Sequence, residues 1–250
     1  MKRSAIKKGH KKGWITVFVL LLSGLIIQAQ AQTRVVLDNY FNHEINAKTG
    51  KVFHYTWSDK ASSGFSEWGY IFKDKGADIA ALQQAPRKAD LAGADIYIIV
   101  DPDTKAETSS PHYIGKKDIR AIVKWVKGGG VLVLMANDSG NCEFQHLNNL
   151  AKKAGMHFNE ASLNHVTGKH WEMGAITDLP KSPVFAGVHK IYLKEVSSLT
   201  LRQPARAVLT KDGNVFMAES HVGKGYVFAF TDHWIYNEYI GHRNLPESFE

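Results

Sequence analysis

The chain has 250 residues, 31 of them Lys or Arg, 24 Asp or Glu and a single cysteine, Cys142. One cysteine excludes an internal disulfide and a Cys-rich zinc site. The net charge of +7 would suggest a nucleic-acid or anionic-membrane partner, but residues 1–31 hold six of the basic side chains and no acidic one, which leaves about +1 (25 basic against 24 acidic) for the rest.

Those first residues have a recognisable plan. Lys2, Arg3, Lys7, Lys8, Lys11 and Lys12 precede an apolar run of about fourteen residues, Trp14 to Ile27, and then Gln28-Ala29-Gln30-Ala31-Gln32. A charged start, a short apolar core and a small-x-small exit make a cleavable signal peptide. The run is shorter than the roughly 20 residues that span a bilayer. Cleavage is expected after Ala31, with an uncleaved anchor as the alternative. No cysteine follows the run, so a lipidated mature N-terminus is excluded. An exported chain without disulfides fits a periplasmic or extracellular place, with no membrane contact after cleavage and no nucleic-acid partner.

Residues 32–250 suffice for one domain with a sizeable core. Arg34–Leu37 reads as a short strand ending at Asp38-Asn39. Phe65, Trp68, Ile71 and Phe72 have helical spacing between Gly64 and Lys75, and Gly76 stops that helix. Asp78–Leu82 and Ala94–Val100 read as strands, the latter ending in Asp101-Pro102-Asp103. Lys116–Lys127 reads as a helix with Ile119, Ile122, Val123 and Val126 on one face, closed by Gly128-Gly129-Gly130. Val131–Ala136 is an all-apolar strand, expected to be covered on both faces, and Glu143–Ala154 the next helix. Strands alternating with helices predict a mostly parallel sheet with right-handed crossovers. The second half differs: Lys190–Val196, Ala205–Leu209, Asn214–His221 and Tyr226–Thr231 are strand-like and joined by short turns such as Asp212-Gly213. They predict antiparallel hairpins extending the sheet. The fold class expected is α/β, with the C-terminus truncated within a last loop or helix.

In an open α/β sheet, ligands lie outside the carboxyl ends of the strands. That rule selects Asp38, Asn39, Tyr40 and His43; Asp101 and Asp103; Asn137, Asp138, Ser139 and Asn141; and Asp232, His233, Trp234, Tyr236 and Asn237. Asp and Asn there can equally cap helices and shape turns. Residues 131–142 have the strand–turn–helix form of a nucleophile elbow, with Ser139 or Cys142 as its nucleophile, but only Gly140 matches the small residues such a turn needs. Asp101, Asp138 and Asp232, with His233, are candidate catalytic groups for glycoside hydrolysis. Twelve histidines raise the question of a metal, with His165, His170 and Glu172 in one loop and His43 and Glu44 in another. No ligand spacing such as H-E-x-x-H occurs, so neither a metal nor a cofactor is expected. The aromatics of residues 41–65 (Phe53, His54, Tyr55, Trp57) and of residues 233–239 suit sugar faces or simply the core. The tryptophans Trp57, Trp68, Trp125, Trp171 and Trp234 carry the same two readings.

The stretches Val35–Asn42 (VVLDNYFN), Tyr97–Thr104 (YIIVDPDT), Gly129–Asp138 (GGVLVLMAND) and Trp234–Tyr239 (WIYNEY) resemble the accessory domain found C-terminal to unsaturated rhamnogalacturonyl hydrolases in Bacteroidetes. That domain is similar to class I glutamine amidotransferase-like folds. The resemblance covers about Arg34 to Glu250 and implies a context of pectin or related uronate-polysaccharide breakdown. It implies no catalytic residue here, because those hydrolases carry their catalytic Asp on a separate (α/α) barrel, and the amidotransferase Cys-His-Glu triad has no clean match. Three readings follow: a non-catalytic domain binding an oligosaccharide or a glycoside hydrolase partner, through Asn39, Tyr40, Asn137, Asp138, Trp234, Tyr236 and Asn237; a hydrolase using the strand-end carboxylates; or a ligand-free structural module.

Overall fold

The computed structural model describes residues 32–240; the leader expected at 1–31 and the segment after 240 lie outside the described residues. The first half alternates strands and helices: β1 (Arg34–Asp38), α1 (Ser66–Asp74), β2 (Asp78–Leu82), β3 (Ile96–Val100), α2 (Lys116–Lys127), β4 (Val131–Met135) and α3 (Phe144–Ala151). The second half is mostly strands: β5 (Met156–Leu163), β6 (Ala175–Ile176), β7 (Ile191–Tyr192), β8 (Val196–Leu201), β9 (Arg206–Lys211), β10 (Asn214–Val222) and β11 (Gly225–Phe230), followed by the single turn α4 (Asn237–Ile240).

Nine strands form one mixed sheet in the order β2-β1-β3-β4-β11-β10-β8-β5, with β9 also paired to β10, while β6 and β7 make a separate two-stranded ribbon. β2, β1, β3, β4 and β11 run parallel. β10 turns back antiparallel to β11, and β8, β9 and β5 continue in antiparallel pairs. The molecule is α/β as the sequence predicts, with the hairpins β9–β10 and β10–β11 where the turns Asp212-Gly213 and Gly223-Lys224 put them.

The all-apolar strands are covered on both faces, which is why they lack a polar side. Alternation along β3 shows this: Tyr97 and Ile99 join one core cluster with Ile122, Val126, Leu134 and Leu147, while Ile98 and Val100 join another with Phe65, Met135 and Tyr236. α2 and α3 therefore cover one face, and α1 with the C-terminal segment covers the other. A third cluster, with Phe185, Leu193, Leu209 and Phe216, covers part of the antiparallel arm.

Three differences from the sequence reading have local causes. The strand expected at Lys190–Val196 divides into β7 and the start of β8, and β5 was not expected. Its alternation holds for Met156 and Phe158 only, and a register irregularity between Asn159 and Leu163 breaks the rest. The helix expected to reach Ala154 stops at Ala151 and tightens into a 3-10 turn over Lys152–Ala154, ended by Gly155 at φ 79°.

Glycine is demanded where β11 enters the sheet beneath the end of α2. A Cβ on Gly225 would lie 2.0 Å from the Val126 carbonyl oxygen and 2.4 Å from that of Gly130. Gly225→Ala should therefore cost about 3 kcal/mol, the upper end of overpacking. Gly213→Ala, with φ 76° but nothing within 4 Å of its Cβ, should cost only the left-handed strain, about 1 kcal/mol. Urea midpoints of the two variants check the order.

Candidate functional site

The parallel strand order reverses between β1 and β3, so the carboxyl ends of these two strands flank the crevice where such sheets place ligands. Both end in buried aspartates. Asp38 Oδ1 accepts the Tyr40 N–H at 3.1 Å and the Phe41 N–H at 2.7 Å, and its Oδ2 accepts the Tyr97 hydroxyl. Burial raises its carboxyl to about 7 against these hydrogen bonds.

Asp101 has φ 41°, a left-handed conformation uncommon for a residue with a side chain and concentrated at functional sites. Its N–H reaches the Met135 carbonyl at 2.9 Å, and its carbonyl accepts the Asn42 amide at 2.6 Å. Oδ2 accepts the Tyr55 hydroxyl at 2.9 Å and the Asn137 amide at 3.1 Å, while Oδ1 has no partner. Burial first, then the charge of Glu107, pushes this carboxyl well above the usual carboxylate range. A carboxyl kept neutral in this way can donate a hydrogen bond.

The network continues outward. The Tyr55 and Tyr236 hydroxyls lie 3.1 Å apart with their rings stacked, and Asn39 donates to the Tyr55 carbonyl at 3.3 Å. The His233 ring meets the rings of Tyr55 and Tyr236 edge-on. Burial holds it down to about 3, so it is neutral at ordinary pH, and its Nδ1 has no partner. The fold thus brings Asn39, Asp101, Asn137, His233 and Tyr236 together around Tyr55. Tyr55 belongs to the aromatic loop noticed in the sequence, but nothing local marks it as the hub.

A second constellation lies on the far side of residue 232. Beyond the end of β11, Asp232 borders a small recess of about 60 Å³ lined by Trp171, Tyr192, Lys194, Trp234 and Tyr239. Trp234 and Tyr239 stack with centroids 5.6 Å apart and planes 4° from parallel, and Trp171 stands edge-on to Tyr239 at 5.9 Å. The Lys194 ammonium lies 4.6 Å from the Trp234 centroid and 6.0 Å from that of Trp171, and pairs with Glu195 at 3.5 Å. Asp232 accepts the backbone N–H of Trp234 at 2.7 Å and of Lys194 at 3.3 Å, and burial raises its carboxyl to about 7. The cleft offers aromatic faces, an ammonium and a carboxyl at one small opening. Lys194 has no sequence signal, since only the β7–β8 connection brings it here.

The remaining candidates sit elsewhere. Asp138 is held by Asn141 at 2.6 Å and by the Ser162 hydroxyl. Tyr40 stacks on His112, centroids 4.0 Å apart. The Asn237 amide is wholly buried: its oxygen accepts the Glu67 N–H at 2.8 Å and its nitrogen donates to Asp59 and Ala61, so it clamps the 59–64 loop to α1. At the elbow-like turn Ser139 is exposed, while Cys142 is buried and burial pushes its thiol well up, away from the reactive thiolate. The left-handed strand end belongs to Asp101 instead. Among the described residues no three His, Cys, Asp or Glu side chains are grouped to hold a metal ion, and no helix is long and apolar enough to cross a membrane.

No protein-family model and no curated protein matches the sequence. Solved structures do share the fold. The mmIFT52 N-terminal domain superposes with a TM-score of 0.61 at 14% identity, over 82% of this chain and 90% of that one. Cytoplasmic protein STM3548 of Salmonella typhimurium gives 0.55 at 16% identity, over 83% and 92%. A cold-adapted β-galactosidase from Rahnella sp. R3 gives 0.51 at 14% identity over 86% of this chain but only 32% of its own. At such identities the likeness is one of fold.

Asp38 gives a pH test. Its folded value of about 7 exceeds the ordinary 3.8, so between these values the folded state holds a proton that the unfolded state has released. Its contribution is full below about pH 4 and is lost as pH rises through about 7. Asp38→Asn, which never ionises, should gain stability relative to the native chain as pH rises from 4 to 7 and no more beyond 8. Urea midpoints of the pair across that range check it.

Proposed function

We propose that this chain is an exported, non-catalytic domain that binds a glycan in polysaccharide breakdown, using the cleft at Trp234, Tyr239, Trp171, Lys194 and Asp232. The observation that carries the reading is the nearly parallel Trp234–Tyr239 stack beside an ammonium and a carboxyl. Sugar rings present apolar C–H faces and a hydroxyl rim, and such a cleft meets both. The signal-peptide plan of residues 1–31 supports export to the periplasm or beyond. The parallel order β2-β1-β3-β4-β11 supports the flavodoxin-like or glutamine amidotransferase-like assignment of that half. The resemblance to the rhamnogalacturonyl hydrolase accessory domain supports pectin-type material as the context. The Rahnella β-galactosidase carries this fold as about a third of its chain, which is consistent with an accessory role.

The candidate catalytic carboxylates favour this reading over hydrolysis. Asp101 is tied to Tyr55 and Asn137, Asp138 to Asn141 and Ser162, and Asp232 to backbone amides, so each has its own fixed partners. The test is titration of the chain with the unsaturated rhamnogalacturonan disaccharide, following tryptophan fluorescence and the near-UV absorbance of the unsaturated uronate together. Binding without loss of absorbance is expected, and Trp234→Ala should weaken it at least about tenfold, some 1.4 kcal/mol. Loss of absorbance that stops in Asp101→Asn or Asp232→Asn would make the chain a hydrolase. Silence in both signals would leave a structural module.

A further inference from the structure

The cleft at Trp234 leaves unused a second concavity, between α2 and α3. A groove of about 650 Å³ has Lys116 and Arg120 on its α2 wall and Lys152 and Lys153 on the opposite one. A second recess of about 530 Å³ adjoins it through Lys152 and includes Arg202. Lys116 and Arg120 stand four residues apart and so share a face of α2.

All five cations are exposed, and none makes an ion pair with a described residue. No acidic side chain lines either recess. The two acids at the groove's upper end are occupied. Asp118 accepts the Gly115 N–H at 2.8 Å, and Glu143 accepts the His146 N–H at 2.9 Å and meets its ring at 3.0 Å. In a chain whose charge beyond residue 31 nearly cancels, this is a local separation of charge held in a concave surface.

We propose that this groove binds an anionic polysaccharide, its carboxylates meeting the cations of the two walls in turn. A groove with charge on opposing walls fits a single strand better than a membrane plane, which cations inside a concavity cannot reach together. Nucleic acid fits less well, because the lining holds no Phe, Tyr or Trp on which bases could stack, and the His146 ring is already covered by Tyr113, centroids 4.6 Å apart. The groove shares no residue with the Trp234 cleft, so the inference stands apart from the glycan reading above.

The test uses alginate, a linear polyuronate, with neutral dextran of equal length as control, titrated against the full chain by calorimetry. Alginate should bind and dextran should not, and alginate affinity should fall at least about tenfold between 50 and 200 mM salt. Lys116→Gln, Arg120→Gln, Lys152→Gln and Lys153→Gln together should abolish the binding without moving the melting temperature. The charge-matched variant Lys73→Gln, Lys75→Gln, Lys88→Gln and Lys105→Gln should retain it; because every chain carries the same termini, the basic residues of 1–31 cancel. Equal losses in both variants, or dextran binding equal to alginate, would overturn the groove. So would tighter binding of oligodeoxythymidylate or of phosphatidylglycerol vesicles, which would assign it to nucleic acid or to lipid.

Discussion

The Asp101 carboxyl is the point on which the parallel half of the molecule closes. It is buried at a left-handed strand end, and its backbone and side chain together reach Met135, Asn42, Tyr55 and Asn137. These belong to the end of β4, the turns after β1 and β4, and the aromatic loop before α1. Tyr55 passes the connection on to Tyr236. A buried carboxyl costs free energy unless it is hydrogen-bonded, so the loops are drawn to it and fixed. The left-handed φ is part of the same bargain: it turns the chain sharply enough to bring Pro102 and Asp103 back against Phe41 and Glu143.

That closure explains why the strand-end polar residues divide into two groups. Those drawn to Tyr55 and Asp101 bind one another. Those past β11 diverge: His233 packs edge-on against Tyr55 and Tyr236, while Asp232, also buried, borders the cleft, and the rings of Trp234 and Tyr239 continue the stack begun by Tyr236 toward the surface. The outer end of this aromatic column is the cleft wall. Its rigidity therefore comes from Tyr236, whose ring is buried and whose hydroxyl is anchored by Tyr55. A binding surface supported by a packed inner layer loses little freedom when a ligand arrives.

Much of the parallel half was legible because its signals are local. Lys116–Lys127 and Asp78–Leu82 were read with the bounds observed, since helical spacing and glycine stops are written in consecutive residues. The hairpins of β9, β10 and β11 were legible from their turns for the same reason. β5 and β8 were not, because their pairing with each other is visible only across some forty residues and a register break hides the alternation. The site divides likewise. The rule of strand ends found Asp101, Asn137 and Trp234, but the roles of Tyr55, Trp171 and Lys194 depend on long-range contacts that no short pattern encodes. Asn237 shows the converse: a polar residue in a promising loop whose amide is spent inside the protein.

The position of β11 has a consequence for how the chain reaches this structure. It lies between β4 and β10, so it joins the parallel strands, whose own members end at Met135, to the antiparallel arm. Until residues 225–230 are present, β4 and β10 each expose an unpaired edge, and such edges are templates for wrong pairing. The register Tyr226 with Val131 through Phe230 with Met135 spans 95 residues of sequence, so the step that unites the sheet closes a long loop and is slow by nature. On the ribosome β1 to β4 would emerge well before β11, and the edge of β4 would stand open until that late strand arrives.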